Sequence, residues 1–510
     1  MNDIFSANFP SSCVNAMLTT MSTGKTIARN ASWLLIATTV QKVIAFVAFT
    51  VAARLVGPAI IGTYFYAVAI TSTFVVFADF GLTQVVIRAV AADEKKGRAF
   101  AVATLRLKLL FVPFAALLAL GFGMWRGVSG DTLLTLVIML FVMSADSIHL
   151  LFYGTLRGRQ KLGYEAVGML IGQTLTAIAS VSAAMLGWGA PGLAMALLIG
   201  SSWHVGWSWM QSNAHVGLNA KPTGADIRAA MRQALPFALA GIFVKVYSYL
   251  DTIMIQAFQG AQAVGNYAAA YKVTYAFQFI PVVFVAALYP AMSSMHANDD
   301  KEHLRSALGG SLRLMALVCV PIAAGLSAVA PRLIPIFFSR SFLGAVPSLA
   351  ILPWALVPIF LDYPIGSLLN ASHRAHLKTI SLGATMLVNA ILNILLIPTY
   401  GPVGAAWSSI FSYAFLFACG AFFAWKDLPS AGWFFSLLTR SLLSAAIIWI
   451  VIRQAGPMIP FTLSLVFGAA FSICVLLLLR LLTMQDMKTA AAWLRKRVSP
   501  DDPIEDELHE

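Results

Sequence analysis

GPAIIGTY, residues 57–64, and GAQAVGNY, residues 260–267, are two copies of one pattern, G-x-x-x-x-G-x-Y, set 203 residues apart. A lysine precedes each copy by fifteen residues, Lys42 before Gly57 and Lys245 before Gly260. Each lysine sits near the middle of a long apolar stretch, WLLIATTVQKVIAFVAFTVAARLVG at 33–57 and LPFALAGIFVKVYSYLDTIMIQAFQG at 235–260. One offset for all four positions reads as an internal duplication with a buried cation in each half.

The duplication extends beyond the glycines. GTLRGRQKLGYEAVGMLIG, from Gly154, aligns with GSLLNASHRAHLKTISLGA, from Gly366, and Gly189 and Gly192 align with Gly401 and Gly404 at an offset of 212. The repeat unit holds six apolar spans. An even number returns the chain to its starting side, so the halves are expected to run parallel about an axis along the membrane normal.

Composition sets the class. The chain has 510 residues, 59% hydrophobic and 11% charged, against about 25% charged in soluble domains. It cannot cover a water-facing surface, and an all-α integral membrane protein follows. About 20 apolar residues are needed per spanning helix. By that rule the expected organisation is a cytoplasmic tail at 1–30, a six-helix bundle at 31–211, a linker at 212–233, a second six-helix bundle at 234–425, two further helices at 438–482 and a cytoplasmic tail at 483–510. That makes fourteen spans.

Lysine and arginine placement agrees with this count. With the N-terminus inside, only Arg54, Arg126, Arg332, Arg340 and Arg453 fall in outer loops, and Lys42, Lys245 and Lys272 fall within spans; the other 26 of the 34 basic residues lie inside. This asymmetry is the positive-inside rule. It accounts for the net charge of +13 without nucleic acid as a partner. The four cysteines, Cys13, Cys319, Cys419 and Cys474, have no metal-ligand neighbours and read as small apolar residues. The first 24 residues do not resemble a cleaved signal peptide, and a start at Met1, Met17 or Met21 is equally consistent with the sequence. The tail beyond 483 reads as a basic amphipathic piece with Trp493 at the membrane interface, followed by an acidic end.

A lysine at mid-membrane costs about 2.5–3.5 kcal/mol on insertion scales. Three readings of Lys42 and Lys245 compete: cations lining a cavity for an anionic substrate, structural ion pairs, and snorkelling stems. Equivalent positions in parallel halves favour the first. Asp251 lies about 240° around the helix from Lys245, so it cannot pair with that lysine. It either forms a static bridge with Lys272 or couples proton or sodium movement to transport. Asp79, Asp146 and Asp362 are the other acids within spans. Asp79 reads as a helix-end cap, Asp146 shares a helix face with His149, and Asp362 lies among Pro353, Pro358 and Pro364 in a span expected to bend. Tyr271, Tyr275 and Gln278 follow helical spacing and offer a sugar apolar faces and hydrogen bonds, while Tyr267 reads as interfacial belt. Gly24-Lys25-Thr26 lacks the first glycine of a phosphate loop, so no ATP hydrolysis is expected on this chain. His373 and His376 have no acidic or cysteine partners in sequence, and Asp299-Asp300 reads as a solvated turn.

AARLVGPAIIGTYFYA, ADFGLTQVVIR, SYLDTIMIQAFQGAQAVGNYAAAYKV and IGSLLNASHRAHLKTI resemble the polysaccharide and O-antigen flippases of the multidrug/oligosaccharidyl-lipid/polysaccharide (MOP) exporter superfamily. The resemblance covers residues 25–480. It implies two six-helix bundles, with two added helices in some branches. It also implies transport of an undecaprenyl-diphosphate-linked oligosaccharide by alternating access across a bacterial cytoplasmic membrane, with no cofactor and no enzyme activity. The glycan, membrane lipids and glycan polymerase or glycosyltransferase machinery are then the partners. Peptidoglycan-precursor flippases and drug or metabolite antiporters are the rival transporters. A membrane-embedded glycan polymerase or ligase is the rival enzyme, and the short outer loops argue against it.

Overall fold

The computed structural model describes residues 11–482, and the tail with Trp493 lies outside them. The first unit (residues 1–265) holds α1 (Ser11–Asp79), α2 (Leu82–Ala92), α3 (Glu94–Trp125), α4 (Gly130–Gly158), α5 (Leu162–Met185), α6 (Gly189–His215) and the first rod of α7 (Gly224–Tyr275). The second unit (266–510) holds the end of α7, α8 (Phe279–Ala297), α9 (Lys301–Phe337), α10 (Val346–Ile351), α11 (Leu356–Ala371), α12 (Ala375–Phe423), α13 (Ala431–Ala455) and α14 (Phe461–Leu478). Residues 11–30, expected as tail, already belong to α1.

Ten helical stretches are long and apolar enough to cross a membrane among the described residues. Three of them contain one glycine break each, at Gly57, Gly260 and Gly401. Each break divides its stretch into two helical parts that meet at the glycine. Exposed leucines such as Leu109, Leu110 and Leu117 and exposed Trp125 on α3 form the kind of apolar surface that lipid covers.

The breaks carry the duplication into three dimensions. Gly57 has φ 80° and ψ 172°, and Gly260 has φ 77° and ψ −178°. That region is open essentially to glycine alone, so both copies turn the chain by the same device. Gly189 (φ 62°) and Gly401 (φ 55°), the matched pair of the later offset, also both have a positive φ.

The second glycines explain why the first rod of α7 packs with the first unit. A Cβ on Gly62 would lie 1.7 Å from the Ala261 carbonyl oxygen, and a Cβ on Gly265 would lie 1.8 Å from the Pro58 carbonyl oxygen. Positions 58 and 261 match by the 203-residue offset, as do 62 and 265. The contact is therefore reciprocal, as around a two-fold axis. Further along, Leu82, Val85 and Ala234 share a small core with Phe237.

In the first unit Tyr66, Ile70 and Ala78 of α1 pack on Val112, Ala115 and Ala119 of α3 and on Leu136 and Met139 of α4. In the second unit α9 is deeply buried, with Leu312, Ala316, Cys319, Val320 and Ala323 inaccessible. It packs against α11 and α13.

Candidate functional site

Lys42 is exposed and Lys245 is half-buried. Neither makes an ion pair or hydrogen bond among the described residues. Lys245 lies 5.7 Å from the ring centre of Tyr249, one turn on, a cation–π contact of modest strength. With no carboxylate on either ammonium, the ion-pair reading of the two lysines finds no support, and both charges remain available to an external anion.

The acids are the reverse, since all four candidates, Asp79, Asp146, Asp251 and Asp362, are engaged. Asp79 is no simple cap. Its Oδ1 accepts from Lys108 Nζ at 2.6 Å and from Thr83 Oγ1 at 2.5 Å. Lys108 is fully buried and also donates to the Ser147 carbonyl at 2.6 Å. Charge counting puts Lys108 in an inner loop, but α3 begins at Glu94, so position 108 lies four turns into the helix and faces inward. Asp362 likewise pairs with Lys378, another residue that counting assigns to a loop. Asp362 Oδ1 and Ser367 Oγ nearby have no hydrogen-bond partner among the described residues.

Asp146 anchors a longer chain. Its Oδ1 accepts from Ser201 Oγ at 2.6 Å and from His149 Nε2 at 3.2 Å. The His149 ring packs on His204 with centres 4.9 Å apart, and His204 Nδ1 meets the Tyr153 hydroxyl at 3.0 Å. Gly172 permits this approach, because a Cβ there would lie 2.5 Å from His204 Nε2. Glu165 is buried and takes both Nε and Nη2 of Arg157. The side chains thus form a polar file along α4 from its middle to its end.

Asp251 is buried and accepts from the Thr252 backbone N–H at 2.6 Å. Lys272 is half-buried near the end of α7. The tyrosines after the break do form a row, with Tyr267–Tyr271 ring centres at 6.2 Å, Tyr271–Tyr275 at 4.3 Å and Tyr275–Tyr413 at 6.5 Å. Two expectations fail here. Tyr267 is buried rather than interfacial. Gln278 does not continue the helical row, because the chain tightens into a 3-10 turn at Ala276–Gln278. Pro281 has no N–H to close the α-helical bond there.

The second unit also contains an apolar cavity of about 280 Å³ between α9, α11, α12 and α13, lined by Val320, Trp354, Pro358, Leu361, Phe417 and Leu438. His204, Tyr153 and Lys378 escaped the sequence reading. The first two carry a faint signal as polar residues in apolar runs, and Lys378 carries none. No group of three or more His, Cys, Asp or Glu residues is placed to hold a metal among the described residues.

A many-helix membrane protein duplicated about glycine breaks has the architecture of a transporter. The polysaccharide biosynthesis protein family model matches residues 27–296 and the MatE model residues 236–395. The chain belongs to the polysaccharide biosynthesis protein family of the MOP superfamily, and it is a transporter rather than an enzyme. A curated relative, the "Probable low-salt glycan biosynthesis flippase Agl15" of Haloferax volcanii, is 23% identical over 76% of this chain and 81% of its own length. Among solved structures, the lipid II flippase MurJ in an inward closed conformation aligns with a TM-score of 0.70 at 16% identity, covering 87% of this chain and 97% of its own. An inward-facing MATE-family multidrug transporter aligns with a TM-score of 0.65 at 15% identity, covering 76% and 95%. At such identities these structures establish the shared fold.

Proposed function

We propose that this protein flips a lipid-linked oligosaccharide across the cytoplasmic membrane by alternating access. The expected substrate is an undecaprenyl-diphosphate-linked O-antigen or exopolysaccharide unit, supplied and consumed by glycosyltransferase and polymerase machinery. The observation that carries this reading is the duplicated pair Lys42 and Lys245, neither bonded to a carboxylate. A diphosphate or an acidic sugar is the natural partner for two such cations. A cationic drug would be repelled by them. The name of the Haloferax relative, a probable glycan biosynthesis flippase, supports the same substrate class, and the apolar cavity in the second unit suits a prenyl chain.

In the same reading, transport is coupled to protons through Asp146. The carboxylate lies in contact with His149 and Ser201, and the file continues through His204 to Tyr153. Imidazole nitrogens and hydroxyls can both give and take protons, so a file of this kind can hand a proton to the half-exposed Asp146 carboxylate. The Gly62–Gly265 contact is then the seal of one end of the pathway, at the side that the charge alternation places outside.

The test is deletion of the gene followed by inspection of surface polysaccharide, with complementation by wild type, Lys42→Ala and Lys245→Ala. Loss of glycan display on deletion, restored by wild type and by neither variant although both insert, is the expected result. Normal glycan display in the deletion strain overturns the proposal.

A further inference from the structure

At the C-terminal ends of α9 and α13, a cavity of about 210 Å³ is lined by Pro331, Arg332, Ile452, Arg453 and Gly456. It is several times the share of one water, about 30 Å³. Arg332 is half-buried and partly committed. Its Nη1 donates to the Gly456 carbonyl, and its Nη2 donates to the Ile459 carbonyl at 2.9 Å, which pins the turn between α13 and α14. Phe461 lies under the same guanidinium at 5.6 Å. Arg453 is exposed and makes no hydrogen bond or ion pair among the described residues.

The sequence leaves these two charges without a carboxylate. Between Glu302 and Asp486 the chain has only two acids, Asp362 and Asp427. Asp362 is bonded to Lys378 and Asp427 to Arg374. Two helix C-termini supply roughly half a negative charge each, which offsets about one guanidinium. The second positive charge has no compensation from α9 through α14. Guanidinium groups present flat forks of N–H donors matched to phosphate oxygens, and three of the five N–H of Arg332 and all five of Arg453 remain unspent. Exposed Ile450, Met458 and Leu463 surround this end of α13 and α14 with aliphatic surface.

We propose that this cavity is a binding site for a phosphate-bearing anion. Two sources share that chemistry: the headgroup of an anionic membrane lipid, with its tails along α13 and α14, and free phosphate. The site is independent of the transported substrate and is formed entirely by the second unit.

The test uses full-length protein in a neutral detergent, read by native mass spectrometry and thermal unfolding. Phosphatidylglycerol, phosphatidylcholine and inorganic phosphate are titrated separately into wild type, Arg453→Gln and Arg332→Gln. Wild type is expected to retain phosphatidylglycerol over phosphatidylcholine and to unfold at a higher temperature with it. Arg453→Gln is expected to keep the unliganded unfolding temperature and to bind about tenfold more weakly, the loss of one charge-assisted contact. Arg332→Gln also loosens the 456–459 turn, so Arg453→Gln is the deciding variant. A shift produced by inorganic phosphate alone, abolished in Arg453→Gln, assigns the site to the free anion. A shift specific to phosphatidylglycerol assigns it to lipid. Equal binding by wild type and Arg453→Gln, or no binding of either phosphate source by wild type, overturns the proposal.

Discussion

The seam between α4 and α6 in the first unit and the seam between α11 and the second rod of α12 in the second are copies of one structure with opposite chemistry. In the first, Asp146, His149, Ser201 and His204 meet in a hydrogen-bonded file. The 212-residue offset puts Pro358, Leu361, Tyr413 and Leu416 at those positions. Pro358 and Leu361 line the apolar cavity there, and α13 covers it with Leu438, Leu442 and Ala445. The glycines that set the backbone were kept in both copies, while the side chains between them diverged. Duplication thus supplies the moving framework twice. Between these two seams, the titratable file belongs to the first and the apolar cavity to the second.

The shared framework can be broken first, and with the largest effect. Gly62→Val and Gly265→Val each drive a side chain into a backbone carbonyl of the opposite copy. Each is expected to cost about 3 kcal/mol or more, the upper end for overpacking, and to abolish glycan display in complementation. Gly121→Ala, where a Cβ meets nothing, should stay within about 0.5 kcal/mol of wild type. If the valine variants complement as well as Gly121→Ala does, the reciprocal contact has no role.

The buried pair on the polar side comes next. Asp79→Leu leaves Lys108 charged and unpaired, with an expected loss of about 3–5 kcal/mol. The double variant Asp79→Leu/Lys108→Met should recover most of it, because apolar replacement of a buried pair is often neutral. Unfolding in detergent measures both. A double variant no more stable than the single would mean that the pair is not what Asp79 is there for.

The divergence itself is sharpened by Asp146→Asn, which keeps the side-chain shape. In proteoliposomes with an imposed pH gradient, this variant is expected to lose the response of transport to the gradient. Leu361→Asn, at the position that matches His149, should leave that response in place. Equal responses in wild type and Asp146→Asn would remove the first seam from the coupling. The smallest effect belongs to the apolar seam, where Ala445→Leu is expected to fill part of the cavity and raise stability by about 0.5–2 kcal/mol, seen as a higher unfolding temperature.

Much of this comparison was legible in the sequence because glycine breaks and central lysines are local signals. Gly57 and Gly260 match by spacing alone, and their backbone angles match as well. Lys108 and Lys378 were misplaced for a definite reason. Hydropathy finds where an apolar run begins, whereas α3 and α12 begin earlier with mixed composition, and only the helix face decides whether such a lysine meets lipid, water or an aspartate. His204 and Tyr153 were missed because their meaning comes from α4 packing against α6, a contact that no spacing within either helix announces. Gln278 shows the converse, since regular spacing in the sequence runs through a segment where Pro281 interrupts the regular helix.

The most direct test of the central claim is the rate at which proteoliposomes flip a lipid-linked diphosphate oligosaccharide, compared between wild type and Lys42→Gln and Lys245→Gln at equal reconstituted amounts. Two cations available to the substrate predict a loss of about tenfold or more for each variant, the scale of one charged hydrogen bond, with Lys→Arg at either position retaining most of the activity. Wild-type rates in both glutamine variants would contradict it.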